Sequence, residues 1–190
     1  ATTGGVSPCG DSIVVAVIDE EYTHHTDLVP NYWRNKKEIP LNNIDDDQNG
    51  YIDDLNGANV KALNGTHTFG AHGTEVAGVI AAKGNNNIGI AGLNWTTKLM
   101  ILSGITNDEE IVKAYNYIYA QRSLYNTTQG REGAYIVVTN MSLGYDNSFP
   151  NEHPLLCGIY DRIGSLGILN VVASTNINGD IDKIGDMPSL

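Results

Sequence analysis

Apolar residues gather along the chain in short, nearly unbroken runs. SIVVAVID (12–19), KLMILSGI (98–105), AYIVVTNMSL (134–143) and GILNVVAST (167–175) are rich in β-branched residues and carry no charge between their ends, the pattern of strands buried on both faces. Between them, apolar positions recur at helical spacing. NDEEIVKAYNYIYAQRSLY (107–125) sets Ile111, Ala114, Tyr115, Ile118 and Tyr119 on one face, opens on Asn107 as a cap, and has three acids in its first turn, where the helix dipole favours them. EHPLLCGIYDRIGSLG (152–167) predicts a second helix with Pro154 in its first turn. HGTEVAGVIAAKG (72–84) predicts a third, closed by Gly84. Buried strands alternating with helices predict an α/β fold of three layers, a mostly parallel sheet with helices on both faces. The stretch from Asn31 to Gly65 is crowded with Asn, Asp and Gly and predicts a long ordered loop with a short strand near GANV (57–60).

A chain of 190 residues with 41% hydrophobic and 17% charged residues can bury one sizeable core, so a single globular domain is expected. The net charge of −11 and the 11 basic residues scattered along the sequence argue against nucleic acid or an anionic membrane as partner, because phosphate-binding surfaces need clustered Lys and Arg. No apolar run approaches the length that spans a bilayer. The start ATTGGVSPCGD has neither the basic nor the apolar segment of a signal peptide, and is expected to be a mature or trimmed end. Cys9 and Cys157 permit one disulfide without demanding it.

In parallel sheets, reacting groups collect at the carboxyl ends of strands. Those positions are Asp19, Ser103 and Gly104, Ser142 to Gly144, and Thr175 with Asn176. A carboxylate buried at a strand tip is costly unless something pairs with it. His72 is the obvious partner, since one ring nitrogen can donate to Asp19 while the other faces a nucleophile, the arrangement of an oriented general base. Gly73, Ala77, Gly78, Ala81 and Ala82 let the helix behind His72 press close to its neighbours. Asn176 offers a neutral amide N–H for a developing oxyanion.

HGTEVAGVIAA (72–82) fits the histidine signature of the subtilases, the subtilisin-like serine proteases, and VAVID before it, with NMSLG and VVASTN after it, follow in that family's order. The chain therefore resembles a subtilase catalytic domain over almost its whole length. The resemblance implies that Asp19 and His72 are two members of an Asp-His-Ser triad, that Ser142, Leu143 and Gly144 pair with an extended polypeptide substrate and wall the main specificity pocket, and that Asn176 donates to the oxyanion. It further implies a secreted endopeptidase. Two departures matter. The family usually follows its catalytic Asp with a small residue and Gly, and here Glu20 and Glu21 stand there; the added carboxylates are expected to favour the protonated His72 ring. The family's nucleophile lies in a GTS motif well downstream of the asparagine, whereas after Asn176 this chain has only Ser189, in MPSL, with no glycine turn or helix behind it. Residues 1–190 are thus expected to be the N-terminal two thirds or so of one catalytic domain, inactive alone, with the serine on a continuing chain or a companion C-terminal fragment. The alternative is a catalytically inert subtilase-like module that binds peptide and keeps a calcium loop.

NIDDDQNGYIDDLNG (43–57) offers Asp45, Asp47 and Asn49 at alternate positions, then Gly50, the Tyr51 carbonyl, and Asp53 and Asp54. This is the opening of a calcium loop, in which alternate side chains converge on the ion and Gly allows the turn. The twelfth position is Asn56 rather than Glu, so it is not an EF-hand, and Asp53 or Asp54 would have to close the site around a structural Ca2+. His24, His25 and His67 show no H-E-x-x-H spacing, and a histidine-metal enzyme is not expected.

Overall fold

The computed structural model describes residues 5–187. The apolar runs form β1 (Val14–Ile18), β3 (Lys98–Ser103), β4 (Ile136–Met141) and β6 (Leu169–Val172), and GANV supplies β2 (Gly57–Asn59). All five are parallel, in the order β2-β3-β1-β4-β6. The first strand is therefore central. After β1 the chain runs to the edge strand β2, returns inward through β3, and then crosses to β4 on the other side of β1, which makes the tip of β1 a topological switch point, the place where open α/β sheets leave a crevice.

Helices α1 (His72–Ala81), α2 (Asp108–Thr128) and α3 (Pro154–Gly164) complete the three layers. The two-residue period of β1 sorts its side chains between them. Val14, Ala16 and Ile18 join Met100, Leu102, Ile136 and Met141 under Ile111, Tyr115 and Ile118 of α2 and Leu156 and Ile163 of α3. Val17 faces the other way and packs with Leu99, Ile101 and the small α1 residues Ala77 and Ala81.

The Asn107 cap is as expected, its side chain accepting from the N–H groups of Glu109 and Glu110 at 2.8 and 3.3 Å. The helix continues past Tyr125 to Thr128, where Gln129 turns left-handed at φ 55°. Helix α1 ends before Gly84: the chain leaves at Ala82, whose N–H still bonds Gly78. Gly84 instead makes room for a ring, since a Cβ there would lie 2.1 Å from the Trp95 indole.

Beyond β6 a short helix, α4 (Ile181–Ile184), leads to β7 (Asp186–Met187), which pairs antiparallel with β5 (Tyr145–Asp146). The sheet is unevenly covered. Helix α1 packs on β1 and β3, while Leu169 and Val171, on the same side of the sheet as Val17, stay 63% and 41% exposed. Cys9 and Cys157 are free thiols. Among the described residues no helix is long and apolar enough to cross a membrane.

Candidate active site

Asp19 leaves the end of β1 with its N–H on the Leu102 carbonyl at 3.0 Å. Its carboxylate meets the His72 ring, with Nδ1 at 2.8 and 3.0 Å from the two oxygens. The Asp19 side chain is 3% exposed and that of His72 is 54% exposed, so one edge of the ring is anchored and the other faces outward. Burial pushes the Asp19 carboxyl above the usual range, opposed by the His72 ring and by the N–H groups of Glu21 and Glu20.

The glycine after His72 is a requirement of packing. A Cβ at Gly73 would lie 2.4 Å from the Glu21 carbonyl oxygen and 2.9 Å from the Asp19 Cβ. The first turn of α1 therefore rests directly on the strand end. Thr74 secures it, its hydroxyl accepting from Thr23 N–H at 2.8 Å and donating to the Thr23 carbonyl at 2.9 Å.

A cavity of about 330 Å³ opens beside this pair, lined by Asp19, Glu20, Glu21, His72, Ser142 and Leu143. The Ser142 hydroxyl accepts from the Asn140 side chain at 2.9 Å. Gly144 is exposed and leads into β5. Asn176 follows the carboxyl end of β6, on the same rim of the sheet, but it is exposed and does not line the cavity. Its neighbour Thr175 is tied down through its N–H to Asp186 at 2.9 Å and through its hydroxyl to Asp146. Ser189 lies outside the described residues.

A larger cavity, about 460 Å³, sits at the opposite, amino ends of the strands, and it pairs no acid with a base. The basic residues scattered in the sequence gather here in space: Arg34, Lys36, Lys37, Lys98 and Arg131 line it and its neighbour.

A second Ser-His-Asp array was not legible in the sequence. His153 Nδ1 lies 2.7 Å from Asp108 and its Nε2 lies 2.7 Å from the Ser148 hydroxyl, with the ring stacked on Tyr145. Glu152 also reaches that hydroxyl at 3.1 Å and accepts from Phe149 N–H at 2.8 Å. This carboxylate competes for the hydroxyl proton and would repel an oxyanion, so the array works as a clasp between α2 and the β5–α3 connection.

The acidic loop closes differently from the sequence expectation. The carboxylates of Glu38, Asp45 and Asp47 come within 4.8 Å of one another. Glu38 is 5% exposed, accepts from Asp46 and Asp47 N–H at 3.0 and 3.2 Å through one oxygen, and leaves the other buried without a partner. Asp45 and Asp47 hold the turn by accepting from Asn49 N–H, and Tyr51 N–H donates to the Asn49 side chain at 2.8 Å. Asp53 and Asp54 do not join this cluster of three carboxylates. Asp53 accepts from Asn42 and Asn43 N–H. Asp54 is fully buried, bonded to Tyr117, Asn35 and Asn49, and pushed up to about 7 chiefly by its burial. The donor set and the orphaned oxygen of Glu38 suit a hard divalent cation. No spacing rule points from Glu38 to the motif; the loop fold brings it there.

A parallel sheet thus brings an acid and an imidazole together at its switch point. The subtilase family model matches residues 10–189, and the chain belongs to that family of subtilisin-like serine proteases. It is similar to subtilisin-like protease 1 of Plasmodium berghei (strain Anka), 30% identical over 91% of this chain and 27% of that protein. It is similar also to the Plasmodium vivax protein of the same name, 30% identical over 87% of this chain and 25% of that protein. The chain thus spans about a quarter of the length of these relatives. In fold it is similar to the crystal structure of MycP1 with the N-terminal propeptide removed, with a TM-score of 0.55 and 19% identity over 90% of this chain and 44% of that one.

Proposed function

We propose that residues 1–190 are the N-terminal part of the catalytic domain of a secreted serine endopeptidase, whose nucleophilic serine comes from a continuing chain or a companion fragment. The observation that carries this reading is the 2.8 Å contact between His72 Nδ1 and Asp19, with the rest of the ring open beside the cavity. His72 Nε2 takes the proton of the serine hydroxyl as its oxygen attacks the scissile carbonyl. Asp19 holds the ring with Nδ1 protonated and stabilises the imidazolium. Asn176 donates to the oxyanion. The imidazolium then protonates the leaving amine, and water, deprotonated by the same ring, releases the acyl group. The polypeptide substrate lies extended along Ser142, Leu143 and Gly144. Exposed Leu169 and Val171 support further polypeptide on the same face of the sheet, since such apolar surface is normally covered.

A fluorophosphonate probe, which reacts with an activated serine, is expected to label the full-length protein or the companion fragment and to leave residues 1–190 unlabelled. His72→Ala should abolish the label. Modification of Ser189 in the isolated chain would overturn the reading. A full-length protein that binds peptide but never labels would favour an inert peptide-binding module.

We propose in addition that Glu38, Asp45 and Asp47 hold a structural calcium ion, supported by the unpartnered oxygen of Glu38. When bound, the ion would tie down the long loop by adding binding energy to the folded state. Calcium titration should raise the melting temperature of the chain and Glu38→Gln should remove the rise; a melting temperature indifferent to calcium sinks the site. Secretion is supported by the acidic charge and by a loop suited to millimolar calcium, and finding the protein only inside the cell would count against it.

A further inference from the structure

We propose that Glu21 is a positioning residue for His72, an inference that rests on the protease reading of the Asp19–His72 pair. Helix α1 starts at His72, and the residue before it, Ala71, has no side chain that can cap the helix. The first N–H groups of a helix have no partner within it, and here one is supplied from outside. Glu21 Oε1 accepts from Ala71 N–H at 2.9 Å and from the peptide N–H of His72 itself at 3.2 Å. A carboxylate at this end is also favoured by the helix dipole.

The surrounding residues are fitted to this contact. A Cβ at Gly70 would fall 1.8 Å from the Glu21 carboxyl carbon, so only glycine leaves the carboxylate its place. Gly70 is held in turn by Thr23, whose hydroxyl donates to its carbonyl at 2.8 Å. Glu21 belongs to the same short segment as Asp19, and its N–H reaches an Asp19 oxygen at 3.5 Å. One segment therefore grips the histidine twice, Asp19 by the ring and Glu21 by the backbone. The ring contact fixes the imidazole only if its Cα is also fixed, and Glu21 supplies that second constraint. The family usually has Gly at this position, and here Glu21 stands in its place. Glu20, next to it, is exposed and takes no part.

The test uses the full-length protein with Glu21→Gly and Glu21→Gln. Displacing a reacting group by a fraction of an ångström to 1 Å costs on the order of 10- to 100-fold in rate, so kcat of Glu21→Gly should fall by about that much while KM changes less than about twofold. Glu21→Gln keeps an acceptor oxygen and should recover most of the loss. The low-field proton resonance of a carboxylate-held His72 Nδ1–H should stay sharp in Glu21→Gln and broaden in Glu21→Gly. Parent-like kcat with a sharp resonance in Glu21→Gly overturns the proposal, as does a rise in KM shared equally by both variants, which would assign the carboxylate to substrate. Should Glu21→Gly not fold, amide exchange in Glu21→Gln decides: protected Ala71 and His72 amides support the grip, and unprotected ones refute it. An active His72→Ala protein would instead remove the protease reading, whatever Glu21 does.

Discussion

The two ends of the carboxyl rim are finished to different degrees. Around β1, Asp19 is buried against His72, Gly73 seats the helix on the strand, and Thr23 and Thr74 lock the two segments together. Around β6, Leu169 and Val171 lie open and Asn176 projects from an exposed loop. The acid-base half of the site is complete within segments 19–23 and 70–74. The half around β6 has its backbone fixed at Thr175 but its apolar side chains exposed. One end of the rim is thus closed by contacts among the described residues, and the other is left open by them.

Removing the base breaks the finished half. In the full-length protein His72→Ala should lower kcat by at least about 10⁴-fold, measured on a peptide substrate; a smaller loss would show that the paired side does not drive the reaction. Asn176→Ala probes the other half, and should lower kcat by about 10²- to 10³-fold with KM nearly unchanged, the range for losing one oxyanion donor. Parent-like kcat would remove Asn176 from the site.

The finished half also has a pH limit of its own. His67 shares a 2.9 Å hydrogen bond with Ser103 and packs against Tyr22 and His24; burial first, and then the charge of His24, lower it from 6.5 to about 3. A histidine depressed in the fold contributes stability that is present above pH 6.5 and lost as pH falls toward 3. Chemical denaturation should show a loss of roughly 3 kcal/mol by pH 4, and His67→Gln should flatten that dependence. A profile identical to the parent would show that the acid loss comes from elsewhere.

The smallest effect separates the halves most cleanly. Leu169→Ser with Val171→Ser should change the stability of residues 1–190 by no more than about 0.5 kcal/mol, because both side chains already face solvent. In the full-length protein the same pair should cost about 2 kcal/mol or more if polypeptide covers them. Equal costs in both would mean that the face is never covered.

The buried runs made the sheet and both helix layers legible, because strands covered on two faces cannot hide their apolar continuity. The Asp19–His72 pair was legible for a related reason, since strand ends and helix starts bring a polar group to a known rim. Contacts set by irregular loops were not. Glu38, seven residues ahead of the acidic motif, reaches it only through the loop fold, while Asp53 and Asp54 are drawn into hydrogen bonds that sequence spacing does not encode. Gly84 illustrates a different failure, in which a glycine that reads as a helix stop is there to admit the Trp95 ring. Cations distant in sequence met at the amino ends of the strands for the same reason: tertiary neighbours carry no local signature.

The central position of β1 has a temporal consequence. Both of its edges are filled by strands that begin only at Lys98 and Ile136, so during synthesis the first strand must wait, unpaired and apolar, until most of these residues have left the ribosome. Long-range parallel pairing of this kind is slow and prone to misassociation. Asp19, at the tip of that strand, consequently finds its fixed place beside His72 only after the sheet has closed around it.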